Sequence, residues 1–100
     1  MMDMERARRE EMRWNILRAL YAAQPIGTSE AIVKTALIEI VPDVTILDIR
    51  KELDYLCERG LAEIDKNRAV WFAKITWHGV DCVEYTVDCY PGIARPEKWI

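Results

Sequence analysis

The side chains with the clearest potential for site chemistry are one histidine and two cysteines near the C-terminal end. His78 and Cys82 are four residues apart, so on a helix they would share one face, and Cys89 lies downstream. Imidazole and thiolate groups bind zinc and related metals, so the three could form a metal or thiol-sensing site. The set lacks a clear fourth ligand, however, and buried cysteines usually pack as small apolar residues. We therefore expect packing here, and no metal.

Catalysis is not indicated by the same residues. A cysteine nucleophile needs a base, a third group that orients the base, and a site that stabilises an oxyanion. The sequence contains cysteines and a histidine, but no pattern in it indicates the orienting group or the oxyanion-stabilising site. Its four glycines are placed at predicted turns and do not form a phosphate-binding loop. We expect no enzyme activity and no cofactor.

Composition restricts the chain to a small folded protein. One hundred residues, 51% hydrophobic and 31% charged, predict a single domain over 1–100. No apolar run approaches the roughly 20 residues that span a bilayer, and the charged N-terminus does not resemble an export signal. We expect a cytoplasmic protein with reduced cysteines and no membrane partner. Because the net charge is −3, binding to nucleic acid would require a local basic patch.

The elements that would position any site are clearest around residues 44–60. Apolar residues recur there at steps of three and four, which predicts a helix with one buried face. Gly60 stands where a left-handed residue ends a helix, and a strand-like run follows it. The residues of the predicted buried face are Ile46, Ile49, Leu53 and Leu56.

Turn residues divide the remaining chain. Ser29 is a good N-cap for a second helix, which carries a broad apolar stripe. Lys66, Asn67 and Arg68 lie at the turn of a predicted hairpin with strands at 61–66 and 69–76. The predicted elements are a first helix at 3–23, a second helix at 29–41, the third helix at 44–60, a hairpin at 61–76, a last helix at 77–87 and a tail at 88–100. The apolar stripe of the second helix consists of Ile32, Val33, Ala36, Leu37 and Ile40.

Aromatic residues are expected in the core and at contacts between subunits. Trp14 and Trp71 are the core candidates. Phe72 lies on the opposite strand face from Trp71 and is the better candidate for an interface. Trp99 and Ile100 should pack on their own domain or on a second subunit. The sequence does not fix the dimer interface, for which the first helix and the tail are the candidate segments.

The order of three helices, a hairpin and a short helix resembles the winged helix-turn-helix superfamily of bacterial transcription regulators. Residues 53–61 are similar to the Leu-x-x-Leu-x-x-x-Gly-Leu ending of their recognition helix, and residues 75–79 to the Leu-Thr-x-x-Gly step after the wing. Residues 77–96 resemble small winged-helix proteins of Mu-like prophages. The resemblance implies an α+β, mostly α fold: a three-helix bundle, a β-hairpin wing, a short helix and an extended tail.

The resemblance also implies a DNA site. In the superfamily the third helix enters the major groove, and the wing contacts the minor groove or the backbone. Arg50 would read guanine with its bidentate fork, Lys51 and Arg68 would hold phosphates, and Ser29 would add a backbone contact. We therefore expect a homodimer bound to double-stranded DNA. The full expected set is Ser29, Thr45, Leu47, Arg50, Lys51, Tyr55, Lys66, Asn67 and Arg68.

Acidic residues on the same helix favour an alternative. Between Thr45 and Gly60 there are four acids and three bases, and each acid that faces a phosphate opposes binding. An exposed Leu47 would also suit a protein partner. The alternative is an interaction adaptor on the same scaffold, with its surface at Leu47, Tyr55 and the aromatic tail. The four acids are Asp48, Glu52, Asp54 and Glu58.

Overall fold

The computed structural model describes residues 3–98 of the chain. They contain four helices and a small antiparallel sheet. About half of these residues are helical, which confirms the predicted α+β class. The helices are α1 (Met4–Ala22), α2 (Glu30–Leu37), α3 (Ile46–Glu58) and α4 (Trp77–Val83), and the strands are β1 (Thr28–Ser29), β2 (Ala62–Asp65) and β3 (Phe72–Ile75).

The sheet has three strands in the order β1-β3-β2, with both pairs antiparallel. The short strand β1 was not predicted; it pairs Thr28 with Ala73 and connects the start of α2 to the hairpin. Gly27 makes this approach possible. Its φ is +90°, and a Cβ there would lie 2.6 Å from the Ala73 carbonyl oxygen. Both the backbone angle and the close contact therefore favour glycine.

Each of the four helices has an N-cap residue whose side-chain oxygen accepts a hydrogen bond from the first turn. The Asp3, Ser29 and Thr76 side chains accept backbone N–H groups at the starts of α1, α2 and α4. At α3, Thr45 Oγ1 accepts the Asp48 N–H at 3.1 Å, and the Asp48 carboxylate accepts the Thr45 N–H at 3.0 Å. This reciprocal capping box sets the first turn of α3.

Two predicted elements are shorter in the structure, for local reasons. Helix α2 ends at Leu37 and not at residue 41: residues 38–40 form a turn in which the Ile40 and Val41 N–H groups both donate to the Leu37 carbonyl, at 3.0 and 2.9 Å. Helix α4 ends at Val83 and not at residue 87, because Tyr85 has a left-handed φ of 62°.

The hairpin also differs from its prediction. Its second strand starts at Phe72 and not at residue 69, so the connecting loop runs from residue 66 to residue 71. The Ala69 carbonyl accepts a hydrogen bond from Arg50 at 3.1 Å, outside the strand ladder. We call residues 66–71 the wing loop.

The core lies between α1, α2, α3 and the inner face of the sheet. Trp14 is buried as predicted, and Trp71 packs half-buried at the edge. Only Val33 and Leu37 of the α2 stripe are buried; Ile32, Ala36 and Ile40 face solvent, contrary to the expectation of a broad packed stripe. The buried apolar residues of the helices are Met12, Trp14, Ile16, Leu17, Leu20, Val33, Leu37, Ile49, Leu53, Leu56, Val80 and Cys82.

The segment after α4 folds back onto α1 and α4. Ile93 is buried, the Ala94 N–H donates to the Glu10 carbonyl at 3.1 Å, and Arg13 donates to the Gly92 carbonyl at 2.9 Å. The tail up to residue 98 therefore packs on its own domain, one of the two arrangements that the sequence left open. Trp99 and Ile100, which we predicted to pack down, lie outside the described residues.

Candidate nucleic-acid interface

The N-terminal half of α3 presents two side chains to solvent. Leu47 is 63% exposed, and Lys51 follows one turn later on the same face. Lys51 has no ion-pair partner within residues 3–98. An exposed leucine and an unpaired ammonium at this position can contact a thymine methyl and a phosphate or a base edge.

Arg50 does not face solvent in the way a base-reading residue must. Its guanidinium donates from Nε at 2.6 Å and from Nη2 at 2.7 Å to the two carboxylate oxygens of Glu30, which is only 3% exposed. Glu30 also accepts the Trp71 N–H at 2.9 Å. The hydrogen bonds from Arg50 hold the pKa of Glu30 below its ordinary value, although burial opposes this. The bidentate fork is already occupied, so the assignment of Arg50 to guanine is wrong.

Trp71, the last residue of the wing loop, packs against the Arg50 side of this ion pair. The guanidinium carbon of Arg50 lies 4.7 Å from the centre of the indole ring, and Lys66 Nζ lies 4.6 Å from it. Lys66 also forms an ion pair with Asp54 of α3 at 2.7 Å. We call Glu30, Arg50, Asp54, Lys66 and Trp71 the Trp71 cluster. Its members lie on α2, α3 and the hairpin, so it fixes the position of the wing loop beside α3.

The tip of the wing loop is held by Asp65. Its carboxylate accepts the Asn67 N–H at 3.0 Å and forms an ion pair with Arg68 at 3.1 Å. Arg68 also lies over the Phe72 ring at 5.0 Å. Both ion pairs of the wing loop, Lys66 with Asp54 and Arg68 with Asp65, are exposed. Exposed pairs contribute little to stability, so these cations can exchange a carboxylate for a phosphate.

Tyr55 does not belong to the groove-facing set. Its ring is sandwiched between Arg13 and Arg59, whose guanidinium carbons lie 3.6 and 3.7 Å from its centre. A Cβ on Gly92 of the tail would collide with its hydroxyl. The tail therefore covers Tyr55, which corrects its expected place in both the DNA surface and the adaptor surface.

The two predicted hydroxyl contacts have local roles. Thr45 caps α3, and Ser29 caps α2 by accepting the Ile32 N–H at 3.4 Å. Of the four acids of α3, Glu52 is buried against Arg13 at 2.8 Å, whereas Asp48 completes the capping box with a side chain that is 29% exposed. The objection from acidic charge therefore no longer includes Glu52, and it remains for Asp48, Asp54 and Glu58.

Glu30 is the site residue that sequence reasoning missed. The signal was present, because Glu30 shares its helix face with Val33 and Leu37, which are both buried. An acid on a buried face requires a partner, and Arg50 is that partner. Nothing local connects the two, since they are twenty residues apart.

Two of the three metal candidates, Cys82 and Cys89, are adjacent, but His78 has a different partner. Cys82 is fully buried and its sulfur points to the Asp88 carbonyl at 3.9 Å, whereas His78 Nε2 lies 3.3 Å from the Tyr90 hydroxyl. Within residues 3–98, no group of three or more histidine, cysteine or acidic side chains is arranged to hold a metal.

The thiols of Cys57 and Cys82 should differ in reactivity. Burial, followed by the adjacent Cys89 thiol, raises the pKa of Cys82 to about 11, whereas Cys57 is exposed. At pH 8 about one Cys82 in a thousand would be thiolate, the reactive form. We expect an aromatic disulfide reagent to modify Cys57 first and Cys82 only after unfolding, as followed by mass spectrometry. Rapid modification of Cys82 in a folded Cys57→Ser variant would contradict this.

Comparisons with known proteins do not assign a family. No family model, no curated protein and no solved structure matches the chain. None of the helices within residues 3–98 has the length and apolar character needed to cross a membrane.

Proposed function

We propose that the chain is a winged-helix domain that binds double-stranded DNA as a homodimer, in the manner of small transcription regulators of phage or prophage type. The observation that carries the proposal is the placement of the wing loop beside a third helix whose N-terminal half is open to solvent. Leu47 and Lys51 project from that half, and the hydrogen bonds of Arg50 to Glu30 and to the Ala69 carbonyl hold the loop next to the helix. The short strand β1 between α1 and α2 supports the same fold.

In this mechanism Arg50 holds the wing loop in place, and other side chains contact the DNA. Leu47 and Lys51 enter the major groove, while Lys66 and Arg68 contact the backbone. Asp54 and Glu58 lie in the C-terminal half of α3, away from the groove-entering half. Because few cations are available, affinity should be modest, and each phosphate contact should contribute roughly −0.9 to the slope of log K against log salt.

The test is a selection of enriched duplexes from genomic fragments, followed by anisotropy titrations at several salt concentrations. We expect Lys51→Ala to weaken the enriched site more than bulk DNA. Lys66→Ala and Arg68→Ala should weaken every sequence alike and make the salt slope less negative, because they remove phosphate contacts. Lys98→Ala, an exposed lysine of the tail, is the matched control. Equal losses for Lys51→Ala and Lys98→Ala would contradict the site.

A second candidate, a protein-interaction adaptor, is favoured by one observation. Ile32, Ile38 and Ile40 on and after α2 are exposed, as is Leu47 at the start of α3. Apolar side chains that cluster on a surface are typical of protein contacts. Folded protein that enriches no DNA at any salt concentration would favour this candidate.

A further inference from the structure

The outward face of the sheet carries the most exposed aromatic side chain among residues 3–98. Trp77 is 84% exposed, and Ile26, at the other end of the face, is 76% exposed. Between them lie two adjoining depressions of about 350 and 300 Å³, both lined by Glu63 and Lys74. Phe72, which the sequence indicated as an interface residue, lines the second depression.

Trp77 is fixed in this exposed position. It is the first residue of α4, whose start is capped by Thr76, and Pro25, Ile75 and Val80 line the depression beside it. Burial of one such ring removes roughly 200 Å² from water. A two-fold contact buries one Trp77 ring from each copy. The two rings together supply about a quarter of the roughly 1,600 Å² that a standard interface buries.

The charges on this face are self-complementary. Glu63 and Lys74 lie opposite each other on β2 and β3, and both side chains point outward. Neither forms an ion pair within residues 3–98. A two-fold axis through the face would bring Glu63 of one copy to Lys74 of the other, and the reverse. Symmetric dimers require this property, because the same patch must fit itself.

We infer that the outward face of the sheet is the interface between two copies of this chain. The inference rests on the proposed function only in that DNA binding as proposed needs a second copy. Helix α1 contacts the central strand β3, and helix α3 contacts the edge strand β2, on the side of the sheet where Ala62 and Ala73 are buried. The outward face is the opposite side of the sheet.

The first test compares two exposed isoleucines by sedimentation equilibrium in the absence of DNA. Ile26→Glu should raise the dimer dissociation constant at least tenfold, as should Trp77→Ala. Ile38→Glu places the same change on an exposed isoleucine of another surface and should leave the dimer intact. A wild-type protein that stays monomeric at roughly 100 μM, or equal effects of the two isoleucine changes, would overturn the inference.

The second test separates contacts between copies from contacts within one copy. Glu63→Lys alone and Lys74→Glu alone should each be monomeric, because like charges then meet across the two-fold axis. An equimolar mixture of the two variants should form a heterodimer, since both of its contacts join opposite charges. A mixture that remains monomeric while the wild type dimerises would overturn the assignment to this face. Dimerisation and DNA binding are measured separately: a monomer that binds enriched DNA overturns only this inference, and a dimer that binds none overturns only the proposed function.

Discussion

Replacement of Glu30 by alanine should destabilise the protein by about 3 kcal/mol. A buried ion pair that loses one partner typically costs 3–5 kcal/mol, and the lower figure applies because Arg50 is partly exposed. The change would also leave the Trp71 N–H without its acceptor. Urea unfolding of the wild type and the variant measures the difference. The control is Glu58→Ala, since Glu58 is largely exposed and, among residues 3–98, forms an ion pair only with its neighbour Arg59. A loss no larger than that of the control would contradict the role of the Trp71 cluster.

The effect of Glu30 should depend on pH. Because the pKa of Glu30 is lower in the folded protein than its ordinary value of 4.5, its charge stabilises the fold at pH values above 4.5. That contribution is lost as the pH falls through the folded pKa. The difference in unfolding free energy between the wild type and Glu30→Gln should therefore shrink in acid. A difference that stays constant from pH 7 to pH 3 would be inconsistent with an ionised Glu30.

Replacement of Gly27 by alanine should also be strongly destabilising, by two separate effects. A left-handed backbone costs a non-glycine residue about 1–2 kcal/mol, and overpacking typically adds another 1–3 kcal/mol. The new Cβ would lie 2.6 Å from the Ala73 carbonyl oxygen and 2.8 Å from the Lys74 Cβ. The backbone cost and the overpacking together predict that the free energy of unfolding, measured with urea, falls by about 3 kcal/mol and that β1 separates from β3.

Gly60 provides the matched control for this prediction. It is also left-handed, with a φ of 75°, but a Cβ there would have nothing within 4 Å. Gly60→Ala should therefore show the backbone cost alone. If Gly27→Ala and Gly60→Ala cost the same, the close approach of β1 to β3 is not what requires glycine at position 27.

The helices were predictable because their signals are local. Apolar periodicity and capping residues lie within each segment, so α1 and α3 begin and end within two residues of their expected bounds. Strand β1 was not predictable in this way. Thr28 and Ser29 have no pattern of their own, and they become a strand only because β3 lies beside them. The shortened second strand has a similar cause, because Arg50 binds Ala69 from another element.

The exposure of Leu47, Lys51 and residues 66–70 agrees with their expected place on a surface, but the partners of the other candidate residues were not predictable. The resemblance also placed Arg50 and Tyr55 on that surface, because sequence reasoning counted basic and aromatic residues on α3 without knowing their partners. Those partners, Glu30 for Arg50 and Arg13 for Tyr55, lie on other helices. Which cations remain available for a ligand is therefore a property of the tertiary structure.

The docked tail has a consequence for the order of folding. Its hydrogen bonds to α1 join residues at opposite ends of the chain: Arg13 to Gly92, and Glu10 to Ala94. Contacts of such large sequence separation require closure of nearly the whole chain, whose entropic cost must be met before they form. The three helices and the hairpin can assemble from contacts much closer in sequence. The tail should therefore dock last, and Tyr55 should remain open to solvent until it does.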